Sequence, residues 1–282
     1  MFRNLSLGAI GVKVPIDVGC RLAEQSRFAG IDLSVGHVHE AGSVEKLKEL
    51  LDRCGLRAGG FSFPASWFGP AEAWKASLQR LPSYLEQGRA LGASVTTVVI
   101  RSWSETLPYK ENFAFHVERL RPGAEILAEY GFRWGFEFLG PKTLRAGKPH
   151  EFLYTAEACL ELCAAVGPNA GLLLDSWHWY TSGGTLEQLR QIPGEKIVYV
   201  HVNDAPAGIP RDEQIDNVRC LPGETGVIDL VGMMQVLREK GCEAPVTAEP
   251  FSARVRAMAP EEAVKVTADS LLELWQRAGL RE

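Results

Sequence analysis

The sequence predicts a single α/β domain over residues 1–282, an eight-stranded parallel TIM barrel. Eight short runs rich in β-branched or aromatic residues alternate with longer amphipathic stretches of helical period. The short runs are almost continuously apolar, which is typical of parallel strands that are covered on both faces. A length of 282 residues suits one barrel, and no linker or low-complexity segment divides the chain.

Each element follows from its own pattern. Strands are expected at residues 5–12, 30–35, 58–63, 95–100, 134–139, 171–176, 197–203 and 246–251. Helices are expected at residues 43–55, 73–92, 115–131, 156–167, 229–241 and 260–279, several with a Ser, Thr or Asp cap and a closing glycine. Pro82 and Pro122 interrupt two helices and predict a kink or a helix pair. The competing fold is a doubly wound open sheet, which usually has fewer strands and a glycine-rich first turn.

Composition limits the range of partners. The chain is 46% hydrophobic with a formal net charge of −5, so no basic surface is expected to attract nucleic acid or an anionic membrane. No segment reaches the roughly 18 to 20 apolar residues of a membrane span, and the N-terminus lacks a secretory signal pattern. We therefore expect a cytoplasmic protein with reduced cysteines, since the six cysteines form no CxxC pair. Such barrels commonly dimerise, so a homodimer is compatible with the sequence.

Polar residues lie near the carboxyl ends of four consecutive predicted strands, where barrels build their chemistry. Glu137, Asp175, His201 and Glu249 each interrupt or end an otherwise apolar run. Singly, a glutamate would be an interior carboxylate paired with an arginine, the histidine a core residue, and Asp175 a helix N-cap. Together, three carboxylates crowded at one rim would repel or protonate, so a shared divalent cation is the simplest account.

This donor set predicts the kind of ion and its chemistry. Three carboxylates and one imidazole suit Mn²⁺, which we expect first, or Mg²⁺, Co²⁺ or Zn²⁺. An octahedral ion with four protein ligands keeps about two positions for a substrate or water. An ion of that kind polarises a carbonyl, acidifies the adjacent C–H bond and stabilises the resulting enediolate.

The motifs GFEF, LLLDSWHWY, YVHVNDAPAG, VRCLPGETGVIDL and AEPF resemble those of the sugar isomerase and epimerase family of xylose isomerase-like barrels. Residues 201–229 are particularly similar to the 2-keto-myo-inositol (inosose) isomerases. The resemblance implies four metal ligands and two residues that contact substrate oxygens, His178 and Arg219. It also implies that two of the ligands, Glu137 and Glu249, act as opposing acid and base.

One departure and one loop bear on the substrate. The free-ketose 3-epimerases of this family carry a second glutamate six residues after the strand-five ligand, where this chain has Thr143. Nearby Lys142 and Arg145 are either substrate contacts or solvated loop cations. The mixed charges of the loop after strand seven argue against phosphate binding, so we expect an unphosphorylated sugar or cyclitol ketone. Trp103 and one of Trp177 and Trp179 are expected to form apolar walls.

The expected function is isomerisation or epimerisation of such a ketone through a metal-stabilised cis-enediolate. A lyase or dehydratase acting by β-elimination from the same intermediate on a keto-sugar or keto-glycoside is the first alternative. A phosphodiesterase similar to the AP endonucleases is disfavoured, because its additional metal-binding histidines are missing. A catalytically silent sensor or scaffold is disfavoured because the four ligands are intact. His37 and His39 are expected to be exposed. The alternatives are that His37 contacts the substrate or that the two histidines form a second metal site.

Overall fold

The computed structural model describes residues 1–281, and eight parallel strands form its centre. In chain order, β1 to β8 are Phe2–Leu5, Gly30–Ser34, Arg57–Ser62, Val95–Ile100, Arg133–Phe138, Ala170–Asp175, Ile197–Val202 and Pro245–Ala248. The hydrogen-bonded order is β3-β2-β1-β8-β7-β6-β5-β4. Within the described chain no ladder joins β3 to β4, so the barrel is nearly closed, and the predicted fold is confirmed.

Helices surround the strands. Their bounds are Ile16–Gln25, Val35–Ala41, Val44–Arg53, Ala71–Ala90, Tyr109–Glu129, Lys142–Arg145, Ala156–Val166, Ser176–Thr181, Leu186–Gln191, Leu230–Glu239, Ala253–Arg256 and Pro260–Arg277. Two 3₁₀ turns, Gly194–Lys196 and Arg211–Glu213, and a small antiparallel pair, Trp103–Ser104 with His150–Glu151, complete the elements. Pro82 and Pro122 lie inside continuous helices, so the expectation of a helix pair is wrong.

The predicted position of the first strand is wrong. β1 ends at Leu5, and the apolar residues that follow form a turn in which the Gly11 N–H donates to the Gly8 carbonyl. Gly11 has a φ of 75°, a left-handed conformation that favours glycine and that this turn requires. Leu7 and Val12 are nevertheless buried, which explains why an apolar pattern continues without a strand. The resulting loop of residues 6–14 lies beside the barrel mouth.

The core has two parts. The larger part packs the strands against the helices and includes Trp134, Trp177 and Trp275. A small cluster of Val95, Leu173, Val198 and Tyr199 is separate from it. Two of its members stand two residues before Asp175 and His201, so they share a strand face with those polar side chains and lie inside the barrel.

All six cysteines are free thiols, and five of them are buried. No helix in residues 1–281 is long and apolar enough to cross a bilayer.

Candidate metal centre

Four side chains from consecutive strands meet at one point of the barrel rim. They are Glu137 on β5, Asp175 at the end of β6, His201 on β7 and Glu249 just after β8, and one ligand atom from each lies within 4.8 Å of the others. His201 Nδ1 is 3.3 Å from Glu137 Oε1, 3.4 Å from Glu249 Oε2 and 3.8 Å from Asp175 Oδ2. Asp175 and His201 are register partners on adjacent strands, which places them at the same height.

Asp175 makes two kinds of contact with its two oxygens. Oδ1 accepts hydrogen bonds from the Trp177 backbone N–H at 2.7 Å and from Asn203 Nδ2 at 3.1 Å, so it caps the helix that begins at Ser176. Oδ2 faces His201 and Arg219. The helix cap therefore fixes the carboxylate and turns its second oxygen toward the cluster.

Arg219 is a buried cation beside the cluster. Its Nη1 donates to Asp175 Oδ2 at 2.8 Å and to Glu249 Oε2 at 2.9 Å. Its Nε and Nη2 donate to the backbone oxygen and to Oδ1 of Asp216, both at 2.8 Å. The guanidinium also lies over the ring of Phe251 at 4.6 Å. Arg219 is thus held rigidly and balances part of the negative charge of the cluster.

The charges of the cluster shift one another's protonation. Burial, followed by the charge of Glu249, raises the pKa of Glu137 despite the hydrogen bond from His201. Burial alone would lower the pKa of His201, but the two glutamates raise it well above its ordinary value. Burial opposes ionisation of Asp175 and Glu249 as well, yet Arg219 and His201 contribute to holding the pKa of each below its ordinary value. The carboxylates of Asp175 and Glu249 are therefore stabilised by positive charge beside them.

The fit to one divalent ion follows from the distances and the donor types. Metal–oxygen and metal–nitrogen bonds of about 2.0–2.2 Å place opposite ligand atoms roughly 4.2 Å apart. The 4.8 Å spread of the four ligand atoms needs only a small contraction to reach that geometry. Three carboxylates and one imidazole also match the preference of hard and borderline divalent ions for oxygen and nitrogen.

His178 is buried beside two of these side chains, Glu137 and Asp175. Its side chain is 2% exposed, and its Nε2 is 3.9 Å from Glu137 Oε1 and from Asp175 Oδ2. Its Nδ1 accepts from the Gly140 N–H at 3.3 Å. A Cβ at Gly140 would lie 2.0 Å from the His178 backbone oxygen, so only glycine permits this approach.

Asp204 organises the loop that carries Arg219. The side chain is fully buried, and its two oxygens accept hydrogen bonds from four backbone N–H groups, those of Ala205, Thr225, Gly226 and Ile228. The backbone of Asp204 also pairs with that of Cys220, the residue after Arg219. The start and end of this loop are therefore fixed by one carboxylate.

We expect Asp204→Asn to destabilise the protein by about 2–4 kcal/mol, because the amide leaves two buried N–H groups facing an NH₂ group. The free energy of unfolding in urea measures this effect. Asp229→Asn is the matched control, since Asp229 is an exposed helix N-cap and asparagine caps equally well. Equal stability of Asp204→Asn and the wild type would contradict the role assigned to this carboxylate.

A cavity of about 590 Å³ adjoins the cluster. His201 and Glu249 form one wall together with Tyr199 and Phe251, and most of the remaining lining comes from β2, β3, β4 and the loop of residues 6–14. Hydroxyl and charged groups on this lining include Ser6, Lys13, Asp32, Ser34, Ser62 and Thr97. Glu249 therefore lies between a candidate ion site and a space large enough for a ring-sized molecule.

A family model described as xylose isomerase-like TIM barrel matches residues 20–274. The chain belongs to this family. The inosose isomerase of Halalkalibacterium halodurans is 28% identical over 205 residues, which cover 71% of this chain and 68% of that protein. The 3-dehydroshikimate dehydratase of Pseudomonas aeruginosa is 34% identical over 147 residues, 51% of this chain and 22% of that protein.

Solved structures of the xylose isomerase-like type share the whole fold. A xylose isomerase domain protein from Alicyclobacillus acidocaldarius subsp. acidocaldarius is 25% identical, with a TM-score of 0.89 over 99% of both chains. The IOLI protein, solved with a bound zinc atom, is 21% identical, with a TM-score of 0.81 over 99% of both chains.

The structure brings some of the predicted substrate contacts to this xylose isomerase-like centre and leaves others outside it. Arg219 donates to Asp175 and Glu249, and His178 lies 3.9 Å from Glu137, but neither residue lines the cavity. Lys142 lies at the surface, where its Nζ is 3.0 Å from Asp212 Oδ2. Trp103 lies on the small antiparallel pair, with Lys148 Nζ 5.3 Å from its ring centre. Neither Lys142 nor Trp103 borders the cavity.

Arg145 and one of the two tryptophans Trp177 and Trp179 depart from their expected surroundings. Arg145 is buried, and its Nη1 donates to the Gly140 carbonyl at 2.7 Å, so the expectation of a solvated cation is wrong there. Trp177 and Trp179 are both buried and do not line the cavity. They pack beneath the loops around His178, with Arg219 lying 5.3 Å from the Trp177 ring centre.

The two histidines of GHVHE, His37 and His39, have different surroundings. His37 lines the cavity, and burial lowers its pKa, whereas His39 is exposed. Among residues 1–281 the rim cluster is the only group of three or more metal-capable side chains, and it contains neither His37 nor His39.

Sequence reasoning missed Asp32 and Lys13, which both line the cavity. Asp32 carried the same signal as the rim residues, an acidic side chain inside the apolar run GIDLS of a predicted strand. Lys13 gave no signal, because the loop that carries it was predicted in part as strand.

Proposed function

We propose that the protein is a divalent-metal-dependent isomerase or epimerase of an unphosphorylated sugar or cyclitol ketone. The observation that carries the proposal is the four-residue rim cluster, two of whose members, His201 and Glu249, line a ring-sized cavity. The inosose isomerase relatives support the substrate class. The acidic charge of the chain and the small cavity fit a small molecule rather than a nucleic acid.

Glu137, Asp175, His201 and Glu249 are the proposed ligands of one divalent ion. The oxygen-rich set favours Mn²⁺, with Mg²⁺, Co²⁺ and Zn²⁺ as competitors. When bound, the ion supplies a Lewis acid that polarises a carbonyl and stabilises developing negative charge.

The proton transfers belong to the two glutamates. Glu249, with 15% of its side chain exposed, lines the cavity and is the proposed base for the C–H bond beside the carbonyl. Glu137, with 8% exposed, lies deeper and is the proposed acid that returns a proton. Arg219 donates to Glu249, so it holds that carboxylate in place and balances negative charge at the centre, and His178 packs beside Glu137.

The cavity favours an unphosphorylated substrate. Within its described lining, Lys13 is the one lysine or arginine, and hydroxyl groups supply most of the other polar atoms. A phosphate site would need several cations or backbone N–H groups together.

The second candidate is a metal-dependent dehydratase that eliminates water from a keto-cyclitol. Two observations favour it, the 3-dehydroshikimate dehydratase relatives and the presence of Lys13, a partner for a substrate carboxylate, on the cavity lining. The same base and acid would serve, because elimination begins with removal of the same C–H proton.

Metal removal tests the proposal. Protein treated with a chelator is expected to lose exchange of the ketone's α-hydrogen with D₂O, and added Mn²⁺ is expected to restore it. NMR of a panel containing 2-keto-myo-inositol, free ketoses and 3-dehydroshikimate measures exchange, product and water loss together. Exchange that persists without metal would contradict the mechanism, and loss of water from 3-dehydroshikimate alone would favour the dehydratase.

A further inference from the structure

We propose that Asp32 determines substrate specificity, by accepting a hydrogen bond from a hydroxyl of the ligand and by excluding a carboxylate from that position. The inference rests on the proposed function and narrows its substrate to a neutral polyol ketone.

Asp32 is part of the cavity that holds the rim cluster. It is the third residue of β2, it is partly exposed, and it lines the same space as His201 and Glu249. The link to the cluster is short, because Tyr199 contacts both. The Tyr199 hydroxyl is 2.8 Å from each Asp32 oxygen, and its ring packs edge-on against His201 with centroids 5.3 Å apart. A ligand bound at the cluster therefore has Asp32 on a neighbouring wall.

The carboxylate of Asp32 is fixed before any ligand binds. Its Oδ1 accepts from the Gly60 N–H at 2.7 Å and from Asn4 Nδ2 at 2.7 Å. Asn4 is fully buried, and a Cβ at Gly59 would lie 2.2 Å from its Oδ1, so the amide is confined to this position. An oriented acceptor of this kind binds a hydroxyl without the entropy cost of ordering the side chain.

The second oxygen of Asp32 has spare capacity to accept. Among residues 1–281, Oδ2 is contacted only by the Tyr199 hydroxyl. That hydroxyl has a single proton, for which Asp32 Oδ1 and Thr247 Oγ1 at 2.7 Å also compete. A carboxylate oxygen accepts about two hydrogen bonds, so Oδ2 is available to a donor in the cavity.

This acceptor separates two classes of ligand. A polyol offers hydroxyl donors to a fixed carboxylate, whereas an acid would place two negative charges together. Lys13 on the same lining attracts an acid instead. Asp32 lies on a strand, whereas Lys13 lies on a loop and is exposed. This difference favours the neutral ligand.

Equilibrium binding of two unreactive probes tests the inference. Titration of the Mn²⁺-loaded protein with myo-inositol and with shikimate, followed by ligand-observed NMR, compares a neutral ring polyol with a carboxylated one. We expect the wild type to prefer myo-inositol. In Asp32→Asn, affinity for myo-inositol should fall about tenfold or more, while affinity for shikimate should stay the same or rise.

Three variants define the controls. The side-chain oxygen of the introduced asparagine can still accept from Asn4 and Gly60, so Asp32→Asn is expected to keep the wild-type melting temperature within a few degrees. Asp52→Asn removes the same charge from an exposed helix position and should leave both affinities unchanged. Lys13→Met should weaken shikimate binding alone.

Three results would overturn the inference. They are failure of the wild type to bind myo-inositol or to prefer it, unchanged myo-inositol affinity in Asp32→Asn, and an equal loss of both probes in that variant. Because neither probe is turned over, these results do not depend on the proposed isomerisation, which only the exchange experiment tests.

Discussion

Glu249→Gln is expected to slow exchange of the substrate α-hydrogen about 10²- to 10⁴-fold at saturating Mn²⁺. An amide cannot accept the proton, whereas the side chain keeps its length and an oxygen that can face the ion. Glu249 also borders the cavity, so it is the cluster carboxylate best placed to reach a bound ligand. Exchange rates by NMR and bound metal by mass spectrometry, on the same samples, separate loss of the base from loss of the ion.

The matched control is Glu187→Gln, which makes the same change at an exposed helix position. It should exchange hydrogen at the wild-type rate. Glu137→Gln should lose product formation but retain some exchange, because the proposed base is still present. A Glu249→Gln protein that holds its metal and exchanges hydrogen at the wild-type rate would contradict the assignment of the base.

The barrel and its rim were predictable because both follow from short-range periodicity. Seven of the eight strands lie within a few residues of their predicted positions, since parallel buried strands give continuous apolar runs. Once the strands are in register, the fold itself brings their carboxyl ends together. Asp175 and His201 therefore meet although they lie on different strands, separated in the chain by a helical crossover.

The positions of the other predicted residues depended on contacts that no local sequence pattern encodes. Lys142 and Trp103 follow strands like the rim residues, but their loops turn away from the cavity, and each finds a partner at the surface. Trp177 and Trp179 fall within a short helix begun by the Asp175 cap, which directs them into the core. The turn at Gly8 and Gly11 looked like a strand because its apolar residues are buried without being extended.

Arg219→Met is expected to destabilise the chelator-treated protein by about 3–5 kcal/mol, because the buried Asp175 and the mostly buried Glu249 lose their closest cation. Urea unfolding with EDTA measures this loss. The stability of the conservative variant Arg219→Lys should lie between those of the wild type and Arg219→Met, since lysine keeps the charge but not the two-sided geometry of the guanidinium. Arg254→Met, which removes an exposed arginine paired with Glu224, is the control and should change stability by less than about 1 kcal/mol.

Metal should rescue this variant more than it stabilises the wild type. Arg219 donates to Asp175 Oδ2 and Glu249 Oε2, and these two carboxylates are also proposed ligands of the ion, so a bound ion would supply the charge that the methionine lacks. Saturating Mn²⁺ stabilises any folded protein that binds it. The gain in unfolding free energy on adding Mn²⁺ should therefore be larger for Arg219→Met than for the wild type. Equal gains would mean that the guanidinium and the ion stabilise the cluster independently, and that Arg219 does not share its charge-balancing role with the metal.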